Sequence, residues 1–216
     1  MAEGRHALIV WGGWPGHEPE RVAELFAEML QEEGFATETA DTLDAFSERP
    51  LREYGLLVPV WTMGTITPEQ LNPVLEAIKN GAGIAGCHGG MGDAFRDSTE
   101  WQFMVGGQFV AHPGNEVTYR VEIADKNHEI THGLPDWEVT SEQYYMHVDP
   151  AIQVLATTRF PAERLPTGTV DMPVVWTKHF GKGRVFYCTL GHDRASVEME
   201  PARTLMKRGL LWAARQ

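Results

Sequence analysis

The chain has 216 residues, 43% of them hydrophobic and 22% charged, with a formal net charge of −12, the make-up of an ordinary globular domain able to bury a sizeable core. That charge argues against nucleic acid or anionic membrane as partner, since no basic surplus meets either, and favours a small neutral or cationic molecule. No apolar run reaches bilayer length, the start Met1-Ala2-Glu3-Gly4-Arg5-His6 lacks a signal-peptide pattern, and two cysteines, Cys87 and Cys188, make no disulfide framework, so a reducing cytoplasm is expected.

Ala7 to Trp11 is a short apolar run broken by Gly12-Gly13-Trp14-Pro15-Gly16-His17, a strand followed by a loop. Pro19 opens a helix whose Val22, Leu25, Phe26, Met29 and Leu30 fall at helical spacing, with Gly34 at its end. Phe35 to Thr39 reads as a second strand, Asp41 to Phe46 as a connection with a helical turn, and Leu56 to Trp61 as a third strand. Thr67-Pro68 supplies a capping hydroxyl and a proline at the first helical position, ahead of an apolar face of Leu71, Val74, Leu75 and Ile78. The fourth strand runs through Gly81-Ala82-Gly83-Ile84-Ala85-Gly86-Cys87 into His88-Gly89-Gly90.

Beyond Phe95 the pattern loosens. Ser98 to Val105 reads as a short helix packed through Trp101, Phe103 and Met104, and Gly106 to Gly114 as loop. Val117 to Ile123, Trp137 to Tyr145 and Ile152 to Thr157 are strand-like. Pro173 to Phe180 and Arg184 to Leu190 form a hairpin across Gly181-Lys182-Gly183. Glu200 to Ala213 closes the chain as a helix with Ala202, Leu205, Met206 and Leu210 inward. Strand–helix alternation with apolar strands predicts a parallel sheet covered on both faces, with antiparallel strands added by the second half, within one domain over 1–216. Ligands of such sheets bind beyond the carboxyl ends of the strands, where the loops carry Trp14, His17, Trp61 and His88.

The glycines around Cys87-His88 have the form of a strand-to-helix elbow, because a Cβ on either side of the exposed residue would collide. His88 falls at its apex and Cys87 points back to the core, as buried cysteines commonly do; Cys188 sits in a strand and is core as well. His128-Glu129-Ile130-Thr131-His132 matches the zinc-protease string, but β-branched residues and Gly133 and Pro135 deny it the helix that brings both imidazoles to one metal. His17, His112, His147 and His192 stand at loop boundaries, where single histidines are ordinary surface residues and several on one rim can move protons or bind a metal. Glu142 is an exposed strand carboxylate or a general base. Asp193 either orients His192 or caps a turn. Trp11, Trp176 and Trp212 read as core, whereas Trp14 and Trp61 fall at strand ends where an aromatic face can stack on a sugar ring.

Taken in order, His17, Gly86-Cys87-His88-Gly89-Gly90, Asn127 to Pro135, Ser141-Glu142-Gln143-Tyr144-Tyr145, Pro173 to Trp176, Tyr187 to Asp193 and Gly209 to Ala214 resemble the trehalose-utilisation (ThuA-like) family from Leu8 to Ala214. The resemblance implies a flavodoxin-like, class I glutamine amidotransferase-like three-layer α/β sandwich, with a mostly parallel central sheet and added antiparallel strands. In the amidotransferases the elbow apex is the nucleophilic cysteine; in this family it is a histidine, here His88, so thiol chemistry is not implied. Glu129 departs from the proline expected after His128. The implied setting is the breakdown of a disaccharide or keto-sugar, with some members able to hold a metal at the histidine rim.

The residues and the resemblance together give an expectation of histidine–carboxylate acid–base chemistry by His88, Glu142 and His192. Trp14, His17, Trp61, Gly89, Gly90, Tyr144, His147 and Asp193 are expected to bind substrate. A divalent metal such as zinc, if one is held, falls among His17, His88, His147 and His192. The expected partner is a small sugar or sugar derivative, with homo-oligomerisation left open. The rivals are a sugar-binding or regulatory protein without chemistry, and a metal-dependent hydrolase.

Overall fold

A computed structural model describes residues 5–215. Its first half alternates β1 (His6–Gly13), α1 (Pro19–Glu32), β2 (Ala36–Ala40), α2 (Ala45–Glu48), β3 (Leu56–Thr62), α3 (Pro68–Lys79) and β4 (Gly83–Cys87), then α4 (His88–Gly92) and α5 (Thr99–Val105). The second half contributes β5 (Gly107–Ala111), β6 (Glu116–Ile123), β7 (Trp137–Glu142), β8 (Tyr145–Val148), β9 (Gln153–Phe160), β10 (Val170–Phe180), β11 (Gly183–Cys188), α6 (Arg194–Glu198) and α7 (Ala202–Ala213).

One sheet runs in the order β2-β1-β3-β4-β11-β10-β9-β6-β7. Neighbours from β2 to β11 pair in parallel, and those from β11 to β7 antiparallel. The parallel half has the flavodoxin strand order, with β11 in fifth place, and its switch point lies between β1 and β3. Both faces are covered, so β1 buries Ala7, Leu8, Ile9 and Val10 completely. Ala7 and Ile9 face α1 and α7 through Phe26, Met29, Leu205 and Leu210. Leu8 and Val10 face α2 and α3 through Phe46, Leu71, Val74 and Ile78. Each of the larger of these side chains, Val, Leu, Ile, Phe and Met, contributes on the order of 1.5–3 kcal/mol.

The helix signals act as written. Val22, Leu25, Phe26, Met29 and Leu30 are all buried on α1. Thr67 and Gln70 close a reciprocal capping box at the start of α3, each side chain accepting the other's backbone N–H.

Three expectations are corrected. Phe103 is 62% exposed rather than packed, because the inward stripe of the two-turn α5 is used by Trp101, Met104 and Val105. Trp137 to Tyr145 is broken at Gln143-Tyr144 into β7 and β8, which join different sheets. The Gly106 to Gly114 stretch contains β5, which pairs antiparallel with β8 as a separate two-stranded ribbon. Its glycines serve that ribbon. Gly106 ends α5 in the left-handed region at φ +87°, and the Trp176 ring lies where a Gly107 side chain would stand.

Candidate functional site

Four segments deliver polar side chains to the carboxyl ends of the parallel strands. β1 leads into a single helical turn, Pro15–His17, that ends on His17. β4 ends at Cys87, and His88 opens α4. Glu142 is the last residue of β7, and His192 follows β11 through Gly191.

His88 adopts φ +49°, a left-handed conformation that costs a non-glycine residue about 1–2 kcal/mol. Its surroundings hold it there: Nδ1 donates to the Thr189 carbonyl at 2.8 Å, and the Tyr187 hydroxyl donates to the His88 carbonyl at 2.8 Å. The elbow glycines make room for neighbours. A Cβ on Gly89 would stand 2.7 Å from the His17 ring, one on Gly90 3.1 Å from Val60 Cα, and one on Gly92 1.9 Å from the Tyr187 hydroxyl. Gly92→Ala is therefore expected to break the Tyr187 clamp and lower stability by about 1–3 kcal/mol, measured by urea unfolding; an unchanged midpoint would count against the clamp. Cys87 is 4% exposed, and burial holds its thiol far above the ordinary range. It is a core residue.

Glu142 Oε2 lies 3.1 Å from His88 Nε2, 3.5 Å from His192 Nδ1 and 3.8 Å from His17 Nε2. His17 is oriented by a 2.9 Å contact between Nδ1 and the Thr62 hydroxyl. Burial pushes the Glu142 carboxyl up, but the imidazoles of His17, His192 and His88 around it outweigh that and hold the group well below the usual carboxylate range. Burial takes His88 down to about 4 against the pull of Glu142, whereas Glu142 raises His192. Near neutral pH, His88 is thus uncharged with its proton on Nδ1, and Glu142 is ionised. A lone pair on Nε2 faces a carboxylate oxygen at hydrogen-bonding distance with no proton between them. His17 Nε2 and His192 Nδ1 are likewise buried without a partner. Buried polar atoms without a partner are costly in an interior, and a cation held among these four groups satisfies them together.

One donor atom from each of His17, His88, Glu142 and His192 lies within 4.8 Å of the other three. Ligands about 2.0–2.2 Å from a tetrahedral zinc are separated by roughly 3.3 Å, close to the 3.1–3.8 Å between Glu142 and the three imidazoles. Three imidazoles and one carboxylate suit zinc and its first-row neighbours. The outward nitrogens of His17 and His88 meet Thr62 and the Thr189 carbonyl, the supporting contacts that fix ligating histidines. The donor set fits a divalent metal ion.

The other expected residues are placed less uniformly. Tyr144 is buried and stacks on His88, with ring centroids 4.0 Å apart. Trp14 is 43% exposed with its ring edge-on to His17 at 4.7 Å. Trp61 packs its ring against Gly12 and Gly64. Gly89 and Gly90 give space to His17 and Val60. Asp193 caps α6 in a reciprocal box with Ser196, the turn-capping role. His147 is not brought to the cluster: it lies exposed in β8 opposite Gln108. The histidine that arrives instead is His112, just past β5, with Nε2 3.6 Å from Glu142 Oε1. The His128 to His132 segment forms turns rather than a helix, with His128 beside Trp212.

A flavodoxin-ordered α/β sheet, with a histidine at the elbow after β4 and a histidine–carboxylate cluster beyond the carboxyl ends of its parallel strands, defines a flavodoxin-like α/β protein with a polar site at that end. The family model described as ThuA, trehalose utilisation, matches residues 6–213, and the chain belongs to that family. No curated protein matches its sequence significantly. It is similar in fold to a ThuA-like protein from Parabacteroides merdae, at 20% identity and TM-score 0.80 over 96% of this chain and 89% of that one. A ThuA-like protein from Bacteroides uniformis gives 19% identity and TM-score 0.78 over 99% and 93%. A cytoplasmic protein from Salmonella typhimurium gives 12% and 0.67 over 97% and 100%. The family links the chain to sugar metabolism. Among the described residues, no helix is long and apolar enough to cross a membrane.

Proposed function

We propose that this protein is a cytoplasmic, divalent-metal-dependent enzyme of sugar breakdown, acting on a disaccharide or keto-sugar derivative. The observation that carries the reading is the convergence of His17 Nε2, His88 Nε2, His192 Nδ1 and Glu142 Oε2, with the His17 and His192 nitrogens buried and without a hydrogen-bond partner. His17, His88, His192 and Glu142 would hold the ion. A divalent ion in such a place supplies Lewis acidity toward a sugar carbonyl, or toward water. The chain's part is to fix the imidazoles through Thr62 and the Thr189 carbonyl, to keep His88 and His17 sealed from solvent, and to offer Tyr144 and Trp14 as aromatic flanks. The sugar follows from the family description, and the cytoplasmic location accords with that of the Salmonella neighbour.

The test is metal analysis of untagged protein after separate loading with zinc, cobalt and manganese and removal of excess. About one ion per chain is expected. At a free metal concentration of about 1,000 times Kd, the stabilisation is about 4 kcal/mol, a rise in Tm of roughly 8–16 °C for a chain of this size. Turnover of trehalose, glucose and keto-glycosides, followed by sugar chromatography, should depend on that ion. Protein that takes up no metal and shows no thermal shift would return the site to metal-free acid–base chemistry by His88 and Glu142.

A further inference from the structure

Glu142 divides its two oxygens. Oε2 faces His17, His88 and His192, while Oε1 faces His112 at 3.6 Å. The separation is too long for a direct hydrogen bond and of the size that an intervening oxygen spans. Side-chain exposure rises from 1% at His88 to 33% at His112, so His112 stands at the solvent end of the site. It also ends a stepped aromatic wall. Tyr144 stacks on His88, Phe109 lies 4.4 Å from Tyr144, and His112 is stacked 5.7 Å from Phe109.

The tautomer of His112 follows from its surroundings. Nδ1 is buried with no partner, and an orphaned buried N–H is rarer and costlier than an orphaned acceptor. The proton therefore sits on Nε2, at the edge facing Glu142. An N–H donor and a carboxylate acceptor then lie on either side of one gap. A hydroxyl fits such a pair, since its oxygen accepts from the imidazole while its hydrogen goes to the carboxylate.

Resting on the sugar reading given above, we infer that His112 is a substrate-binding residue, which with Oε1 of Glu142 reads one hydroxyl of the sugar beside the metal centre. Phe109 and Tyr144 line the same side, and all three come from the β5–β8 ribbon or its flanks, which makes that ribbon the recognition element of the fold.

The experiment compares wild type, His112→Phe and His112→Gln, each zinc-loaded, by calorimetry against trehalose, maltose, glucose and a keto-glucoside, with metal content measured alongside. His112→Phe keeps a ring in the wall but removes the donor, and should weaken sugar binding about tenfold or more. His112→Gln carries an amide donor and should recover most of that loss. All three proteins should hold the same amount of zinc. Equal sugar affinity in wild type and His112→Phe overturns the assignment while leaving the metal centre standing. Loss of zinc from both variants makes His112 a ligand and overturns it too. Failure of the zinc-loaded wild type to bind any of the sugars removes the sugar reading, and this inference with it.

Discussion

Glu142→Gln is expected to abolish stable metal binding while leaving the metal-free protein at least as stable as wild type. Glu142 supplies the carboxylate of the four-donor group and lies within 3.8 Å of all three imidazole donors. Its replacement by a neutral amide removes the ion's anionic ligand, so affinity should fall by more than the roughly 10–100-fold that loss of a supporting partner costs. The metal-free protein responds differently. There the carboxylate faces the unprotonated Nε2 of His88 at 3.1 Å, two acceptors in contact, and a glutamine N–H donates into that gap. One hydrogen bond gained is about 1 kcal/mol, or roughly 2–4 °C in Tm for this size. Opposite movements of stability and metal affinity are the mark of a residue retained for function. Isothermal titration with zinc and thermal unfolding in chelator read the two effects separately. A variant that binds zinc as tightly as wild type would remove Glu142 from the ligand set. A metal-free variant melting several degrees lower would show that the carboxylate serves the fold.

The parallel half of the fold was legible because its information is local. Each apolar run and each 3.6-residue stripe from Ala7 to Ile78 lies within one element, and capping signals such as Thr67-Pro68 mark the boundaries. The elbow at His88 was legible for the same reason, its glycines and apex lying side by side in the chain. The ribbon was not. Gly106, Gly107, Pro113 and Gly114 locally spell loop, and β5 becomes a strand only because β8 arrives about 40 residues later to pair with it. That missed pairing also misplaced a histidine. His112 and His147 look alike in sequence, and the ribbon's register sets His147 opposite Gln108 while the chain leaving β5 carries His112 to Glu142. α6 was missed because only Asp193 announces it, as a cap, over a single turn. Glu142 stood out as a carboxylate, but that three histidines share one of its oxygens depends on where β7 ends relative to the parallel strands, which no local pattern records.

Gly89→Ala should impair the metal centre although Gly89 offers no ligand. The residue is in α4 and outside the positive-φ set, so alanine is locally permitted and favoured in a helix over glycine by up to about 1 kcal/mol. The obstacle is His17. An alanine methyl would stand 2.7 Å from His17 Cε1 and Nδ1 and 2.8 Å from Thr62 Cγ2, beside the Nδ1 contact that orients the ring. His17 has little room to retreat. Trp14, His88 and His192 lie edge-on to it with centroids 4.7, 4.6 and 5.0 Å away. Turning the imidazole moves Nε2 off the point shared with His88 and Glu142, so zinc affinity is expected to fall by about 10–100-fold, the cost of misorienting a ligand through its support. Gly90→Ala is the control, because its methyl would meet Val60 Cα at 3.1 Å; it should disturb stability more than metal binding. Zinc titrations of the two variants decide the matter. A Gly89→Ala protein with wild-type affinity would mean that His17 is free to move aside, and the elbow glycines would then be explained by backbone packing alone.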